Sequence, residues 1–386
     1  MTSYLDQIPS FVETSKSLKD VIITNIIMTG QIPAPTFAEE KRANMLLERF
    51  SSAGVDRCWL DPLGNPVGVI PGTSPDKPPV FVVAHLDTAV DRDVDHNYTV
   101  TSNAIVGSGI TDNSTGVGVL ASLPDIIAAA GLSFVSDIVL AGVVRSLGAG
   151  NLAGMKHLVG NWKTPIRGAI ILEACELGRL SYFSEGLNRC EIECALPPSP
   201  GGRPRDTANP ILVLNEVINQ ILRLRLPQRP RSRIVMGKIS GGSRHGTIPA
   251  DAVLGLEVQS DSLEVVRSLY TDIRDIVNGV AHELQAGLKL KSISEQAPAR
   301  LKFSHPLVKS AAAVMKKLRL EPVTMPSESE LSVFLSRHIP AITLGLTHGA
   351  DAYLPEQARV RISPLFKGIA QVVGVMAAMD SGVCDG

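Results

Sequence analysis

The chain has 386 residues, 19% of them charged, and a formal net charge of −1. That length allows two domains, and the balance of charge gives no global attraction to nucleic acid or to an anionic membrane surface. Aromatic residues make up only 4%, too few for the stacking platforms that hold single-stranded nucleic acid. Residues 1–19 carry Asp6 and Glu13 and no continuous apolar core, which is not a signal-peptide pattern. The stretch Gly116–Val135 is broken by Pro124 and Asp125 and is too interrupted to span a bilayer. A soluble, cytoplasmic protein is expected, with no nucleic-acid or membrane partner. The five cysteines are odd in number and form no C-x-x-C pair, so they read as reduced thiols. Cys190 and Cys194 share parity on a predicted strand and read as packing residues, whereas Cys175 lies near a candidate ligand without an assigned role.

In chain order, helices are predicted around 14–29 and 37–53, separated by Ile32-Pro-Ala-Pro-Thr36. Short, nearly continuous runs of Val, Ile, Leu and Ala follow at 80–84, 138–144, 169–172 and 341–346, as expected for strands buried on both faces. Apolar helices are predicted at 116–130 and 306–318. Strands alternating with helices imply a mostly parallel sheet sandwiched by helices. The middle of the chain reads differently: strand 189–195, helix 208–225, strands 233–239 and 252–259, helix 261–285 and strand 287–294. That β-α-β-β-α-β order is the ferredoxin-like pattern. The expected architecture is therefore an α/β domain of residues 1–187 and 301–386, interrupted by an α+β domain of residues 188–300.

Ligands of open parallel sheets bind outside the carboxyl ends of the strands, so the residues after each strand are the informative ones. Strand 80–84 delivers His85 and, two residues later, Asp87, a metal ligand and a carboxylate able to orient it. The loop Gly107-Ser-Gly-Ile-Thr-Asp112 leads into helix 116–130, strand 169–172 ends in Glu173, and strand 341–346 runs into Thr347 and His348. Two histidines and two carboxylates converging on one edge form a mixed N/O set suited to zinc or a similar divalent ion. Each also has an ordinary alternative: Asp112 as a helix cap, Glu173 paired with Arg179, His348 bonded to a backbone carbonyl. The arginines at 223, 225, 229, 231 and 233 lack interleaved aromatics and read as a solvated helix end and loop.

Ala84-His-Leu-Asp-Thr88, Gly109-Ile-Thr-Asp-Asn-Ser-Thr-Gly116 and Leu344-Gly-Leu-Thr-His-Gly349 resemble the signatures of a di-zinc exopeptidase and deacylase family. That family includes peptidase T, carboxypeptidase G, acetylornithine deacetylase and aminoacylase. The similarity covers nearly the whole chain. Gly241-Gly-Ser-Arg-His-Gly-Thr-Ile-Pro249 resembles a motif of the family's inserted lid, and Ser336-Arg-His-Ile-Pro-Ala341 the approach to its last sheet strand. The resemblance implies a zinc-exopeptidase-like fold and a ferredoxin-like lid that often forms a homodimer. It implies that His85 and Glu173 bind a first metal, Asp112 bridges two, His348 binds the second, and Asp87 orients His85.

The resemblance also breaks. Two adjacent glutamates, a general base and a ligand of the second metal, are expected after strand 138–144, but those positions fall on Ser146 and Leu147. Residues 143–157 contain no Asp or Glu at all, and Arg145 adds positive charge. Asp112 and Glu173 return two negative charges against the four of two dications, so the second ion is expected to bind weakly and one zinc, cobalt or manganese ion per chain is expected. Glu176 is the nearest spare carboxylate, with a solvated loop acid as its ordinary reading. The lid histidine after the Pro-Gly-Gly turn is replaced by Arg203, a group able to polarise a carbonyl or to sit exposed in a loop. The expected lid asparagine and arginine fall on Gly246 and Gln259. Two functions stay open: a weak metallopeptidase-like hydrolase of small peptides or N-acyl amino acids, and a non-catalytic member binding a peptide-like ligand or partner protein in the same cleft. A different reaction on the same scaffold is a third.

Overall fold

The computed structural model describes residues 4–74, 76–195, 209–351, 354 and 357–385. The chain divides into two units, Met1–Ser184 with Arg300–Gly386, and Glu185–Ala299.

The first unit is built on a seven-stranded sheet. Its order is Arg57–Leu60, Pro66–Ile70, Ile138–Val143, Val80–His85, Gly168–Glu173, Ala341–Gly345 and Leu180–Ser181. The four strands from Ile138–Val143 to Ala341–Gly345 run parallel, and the outer pairings are antiparallel. Strands Val80–His85 and Ile138–Val143 are buried at every residue, which explains their unbroken apolar sequences: both faces are covered by helices. The parallel strands all end on one edge, and this places His85, the Arg145–Leu147 turn, Glu173 and the segment after Gly345 together.

Thr115–Ala129 is the central helix, apolar on nearly all sides and packed against Lys19–Gly30. Gly118 permits that approach, since a Cβ there would lie 2.6 Å from the Ile26 Cα. The predicted helix 14–29 proves to be two, Tyr4–Ser17 and Lys19–Gly30, and Pro9 lies inside the first. Pro9 is the sixth residue of that helix, past its opening turn, so it removes one intrahelical N–H bond that the rest of the helix carries. A helix not foreseen, Ile362–Asp380, packs against Tyr4–Ser17 and Pro306–Lys317. By length and composition it is apolar enough to cross a membrane, but 78% of its apolar window is buried within the fold.

The second unit has the expected order: strand Gly186–Ala195, helix Pro210–Ile221, strands Ser232–Gly241 and Asp251–Ser260, helix Leu263–Glu283, and strand Gly287–Gln296. Its strands pair antiparallel with Gly186–Ala195 and Asp251–Ser260 in the middle. Asn209 and Ser262 cap the two helices with side-chain acceptors. Cys190 and Cys194 sit in its apolar core with Val217, Leu254 and Ile273, as packing residues. Arg233 pairs with Glu185 at 3.2 Å and also donates to Gln259.

Candidate metal centre

His85 closes its strand with only 3% of its surface exposed. The nearest acceptor to Nδ1 is the backbone oxygen of Asp87 at 2.9 Å, while the Asp87 carboxylate oxygen Oδ1 lies at 3.5 Å. A proton on Nδ1 thus has its partner, and Nε2 is left to face Asp112 Oδ1 at 3.0 Å. Burial drives the His85 proton off, but the bonds to Asp112 and Asp87 outweigh it and hold the imidazole pKa well above its usual value.

Asp87 is fully buried, and its Oδ2 accepts from Thr36 Oγ1 at 2.8 Å, Ser146 N at 3.0 Å and Leu147 N at 2.8 Å. Burial raises its pKa, but His85 and these donors more than reverse the effect, and the net shift is downward. Asp87 therefore does more than face His85. It joins the end of one strand to the turn after its neighbour. Arg42, buried and unremarked in the sequence, holds the same corner by donating to Leu86 O at 2.9 Å and Ile32 O at 2.6 Å. Burial pushes its guanidinium down to about 10.

Asp112 reaches the site from a tight turn that opens at Gly109, whose φ of 71° favours glycine. Its side chain is 52% exposed. The next residue, Asn113, is buried and donates to Leu172 O at 2.8 Å, fastening the Asp112 turn to the strand that ends in Glu173. Desolvation pushes the Glu173 carboxyl up to about 7; His85 and Arg179 oppose the shift, and Asp112 and Glu330 add to it.

His85, Asp112 and Glu173 each place a ligand atom within 4.8 Å of the others. One imidazole and two carboxylates, with the histidine tautomer set by a carbonyl, fit a divalent cation of the zinc class. His348 does not join this group. It is exposed after Thr347, whose hydroxyl is held on Arg361 O at 2.6 Å, and lines a neighbouring cavity with Asn103, Arg359 and Arg361. Glu176 is exposed and pairs with Arg179 at 3.3 Å, in keeping with its ordinary reading as a solvated loop acid. Its φ of 65° lies in a turn closed by Arg179 N to Glu176 O at 2.7 Å. Arg203 lies outside the described residues. The Arg145 guanidinium is stacked 5.8 Å over the Phe37 ring. Burial pushes the Cys175 thiol up to about 12.

One carboxylate at this edge gave no signal in the sequence. Glu330 is fully buried, and its Oε1 accepts from Ser146 Oγ at 2.6 Å across 184 residues of chain. The only local hint is an acidic Ser327-Glu-Ser-Glu330 segment just before the short helix Leu331–Leu335.

Comparison with known proteins gives this arrangement a fold. Residues 186–285 match the model of the M20 peptidase dimerisation domain. Most of the chain superposes on solved peptidase structures. The chain has the M20-peptidase fold, with the family's dimerisation domain inserted in it. The dipeptidase Dug1p from Saccharomyces cerevisiae is 14% identical, with a TM-score of 0.78 over 97% of this chain and 98% of that one. Human carnosine dipeptidase 1 is 12% identical, with a TM-score of 0.75 over 97% and 99%. A dinuclear metal-binding peptidase of the M20 family from Bacillus subtilis is 12% identical, with a TM-score of 0.60 over 93% and 99%. No curated protein matches the chain by sequence.

Proposed function

We propose that this protein is a metal-dependent hydrolase of small peptides or N-acyl amino acids that holds one divalent ion firmly and a second weakly. The observation that carries this reading is the grouping of His85, Asp112 and Glu173 on the carboxyl edge of an M20-type sheet. A divalent ion held there would supply Lewis acidity to a water molecule and to the scissile carbonyl. The chain's own part is to orient the donors: the Asp87 carbonyl selects the His85 tautomer, and Asn113 ties the Asp112 turn to the Glu173 strand. Leu147 stands where the family pattern has a second-metal ligand and contributes no lone pair, which is why the second ion binds weakly. The M20 dimerisation domain supports a homodimer, and the five unpaired cysteines are in keeping with a reducing cytoplasm.

A second reading, binding of a peptide-like ligand without turnover, is favoured by the same Leu147 and by Ser146 at the position of the base. Metal analysis of the purified protein separates the readings, combined with a screen of di- and tripeptides and N-acyl amino acids under zinc, cobalt or manganese. One ion per chain and slow hydrolysis abolished by His85→Ala are expected. Two tightly held ions with rapid turnover refute the weak second site, and metal retention without hydrolysis of any probe favours the binding reading.

A further inference from the structure

The turn after Ile138–Val143 carries Arg145, Ser146 and Leu147, so no proton acceptor comes from that strand. Its neighbour in space does carry one. The Ser146 hydroxyl donates to Glu330 Oε1, and Ser146 N is fixed on Asp87 Oδ2, the same residue whose carbonyl holds His85. Glu330 is thereby two hydrogen-bonded residues away from His85. Its approach is braced on both sides. Ser327 N donates to Phe183 O at 3.0 Å, and Thr343 Oγ1 in the adjoining strand donates to Ser327 Oγ at 3.3 Å.

A purely structural Glu330 is hard to account for. Its side chain does not cap the helix it precedes. The residue has no exposed surface, one carboxylate oxygen has a single hydroxyl donor, and Oε2 has no hydrogen-bond partner among the described residues. One neutral hydrogen bond does not offset the desolvation of a carboxylate, and buried polar atoms left single in native proteins commonly serve a ligand or a reaction. The hydrogen-bond chain through Ser146 and Asp87 ties it to the strand edge on which His85 stands.

We propose that Glu330 is the proton acceptor of this site, a carboxylate delivered from the far end of the chain to the place where Ser146 has left none. The assignment rests on the hydrolase reading above. In the reaction, Glu330 Oε2 takes one proton from the attacking water as the water oxygen bonds to the amide carbonyl carbon. The C–N bond then breaks, and the same proton passes from Glu330 to the departing nitrogen. A carboxylic acid and an amine result, with Glu330 returned to its starting form. Ser146 is a positioning residue that holds Oε1 and leaves Oε2 free.

The test uses the full-length protein loaded with zinc, with Glu330→Gln and Ser146→Ala compared on the best peptide substrate from the screen. Glu330→Gln keeps the size and the acceptor for Ser146. It is expected to lower kcat by roughly 10²–10⁴-fold with KM little changed. One zinc per chain should remain, bound about three- to tenfold more weakly for loss of a nearby negative charge. Ser146→Ala is expected to lower kcat by about tenfold while zinc affinity holds, because the acceptor stays but loses its aim. Unchanged kcat in Glu330→Gln overturns the assignment while leaving the hydrolase reading intact. Unchanged zinc affinity in that variant, measured by calorimetry without any substrate, overturns it as well. Absence of hydrolysis by the unaltered protein overturns both.

Discussion

Glu173→Gln in the metal-free protein isolates the electrostatic cost of assembling the centre. The Glu173 carboxyl is displaced from a free glutamate's 4.5 to about 7. Between those values the folded protein keeps a proton that the unfolded chain has already released, so stability falls as pH rises through the window. The displacement corresponds to about 3 kcal/mol of stability, fully present at pH 4 and lost by pH 8. The glutamine variant resembles the protonated acid at every pH and escapes that loss. Its stability relative to the unaltered protein should therefore increase by about 3 kcal/mol between pH 4 and pH 8, read from urea unfolding with a chelator present. His85, whose pKa is raised, contributes stability that is full below its unfolded value of 6.5 and fades as pH climbs through the higher folded value. That loss is common to both proteins and cancels to first order. Adding zinc at 100 times its Kd should stabilise the unaltered protein by about 2.7 kcal/mol and the variant by less. A stability gap that is the same at pH 4 and pH 8 would show that Glu173 is not desolvated, and the account of the centre would fail.

Three further outcomes follow from the same geometry. Asp87→Ala strips the acceptor from Thr36 Oγ1, Ser146 N and Leu147 N, and should cost about 3–5 kcal/mol in thermal melts, with Asp87→Asn recovering part of it. Ser146→Glu combined with Leu147→Glu sets like charge against Glu330, so the metal-free protein should melt lower. A divalent ion should restore it, and elemental analysis should rise from one to two ions per chain; an unchanged count would mean that more than two donors are missing. Gly118→Ala drives a methyl against the Ile26 backbone and should cost about 1–3 kcal/mol by urea unfolding, without altering zinc stoichiometry.

Much of the first unit was legible along the chain because its information is local. The unbroken apolar runs at 80–84 and 138–144 mark strands covered on both faces, and the β-α-β-β-α-β order of the inserted unit needs only periodicity to be seen. His85, Asp112 and Glu173 could be read in the same way, since each follows its own strand or opens its own helix. Elements whose stability comes from distant partners were missed or misdrawn. Ile362–Asp380 shows no cap that announces it and is held by helices from the opposite end of the chain. Tyr4–Ser17 was mostly missed, only its last turn being drawn, joined to its successor across Leu18.

The centre divides along the same line. Residue type and strand end singled out His85, Asp112 and Glu173, whose ligand atoms the fold brings within 4.8 Å of one another, and the absence of any acid in residues 143–157. Only the folded chain shows that His348 lines a cavity with Asn103 and Arg361, that Glu176 pairs with Arg179, and that Glu330 accepts from Ser146. A carboxylate 184 residues away leaves no periodic trace, because its place is set by how a strand edge and a distant loop close together, not by its neighbours in the chain.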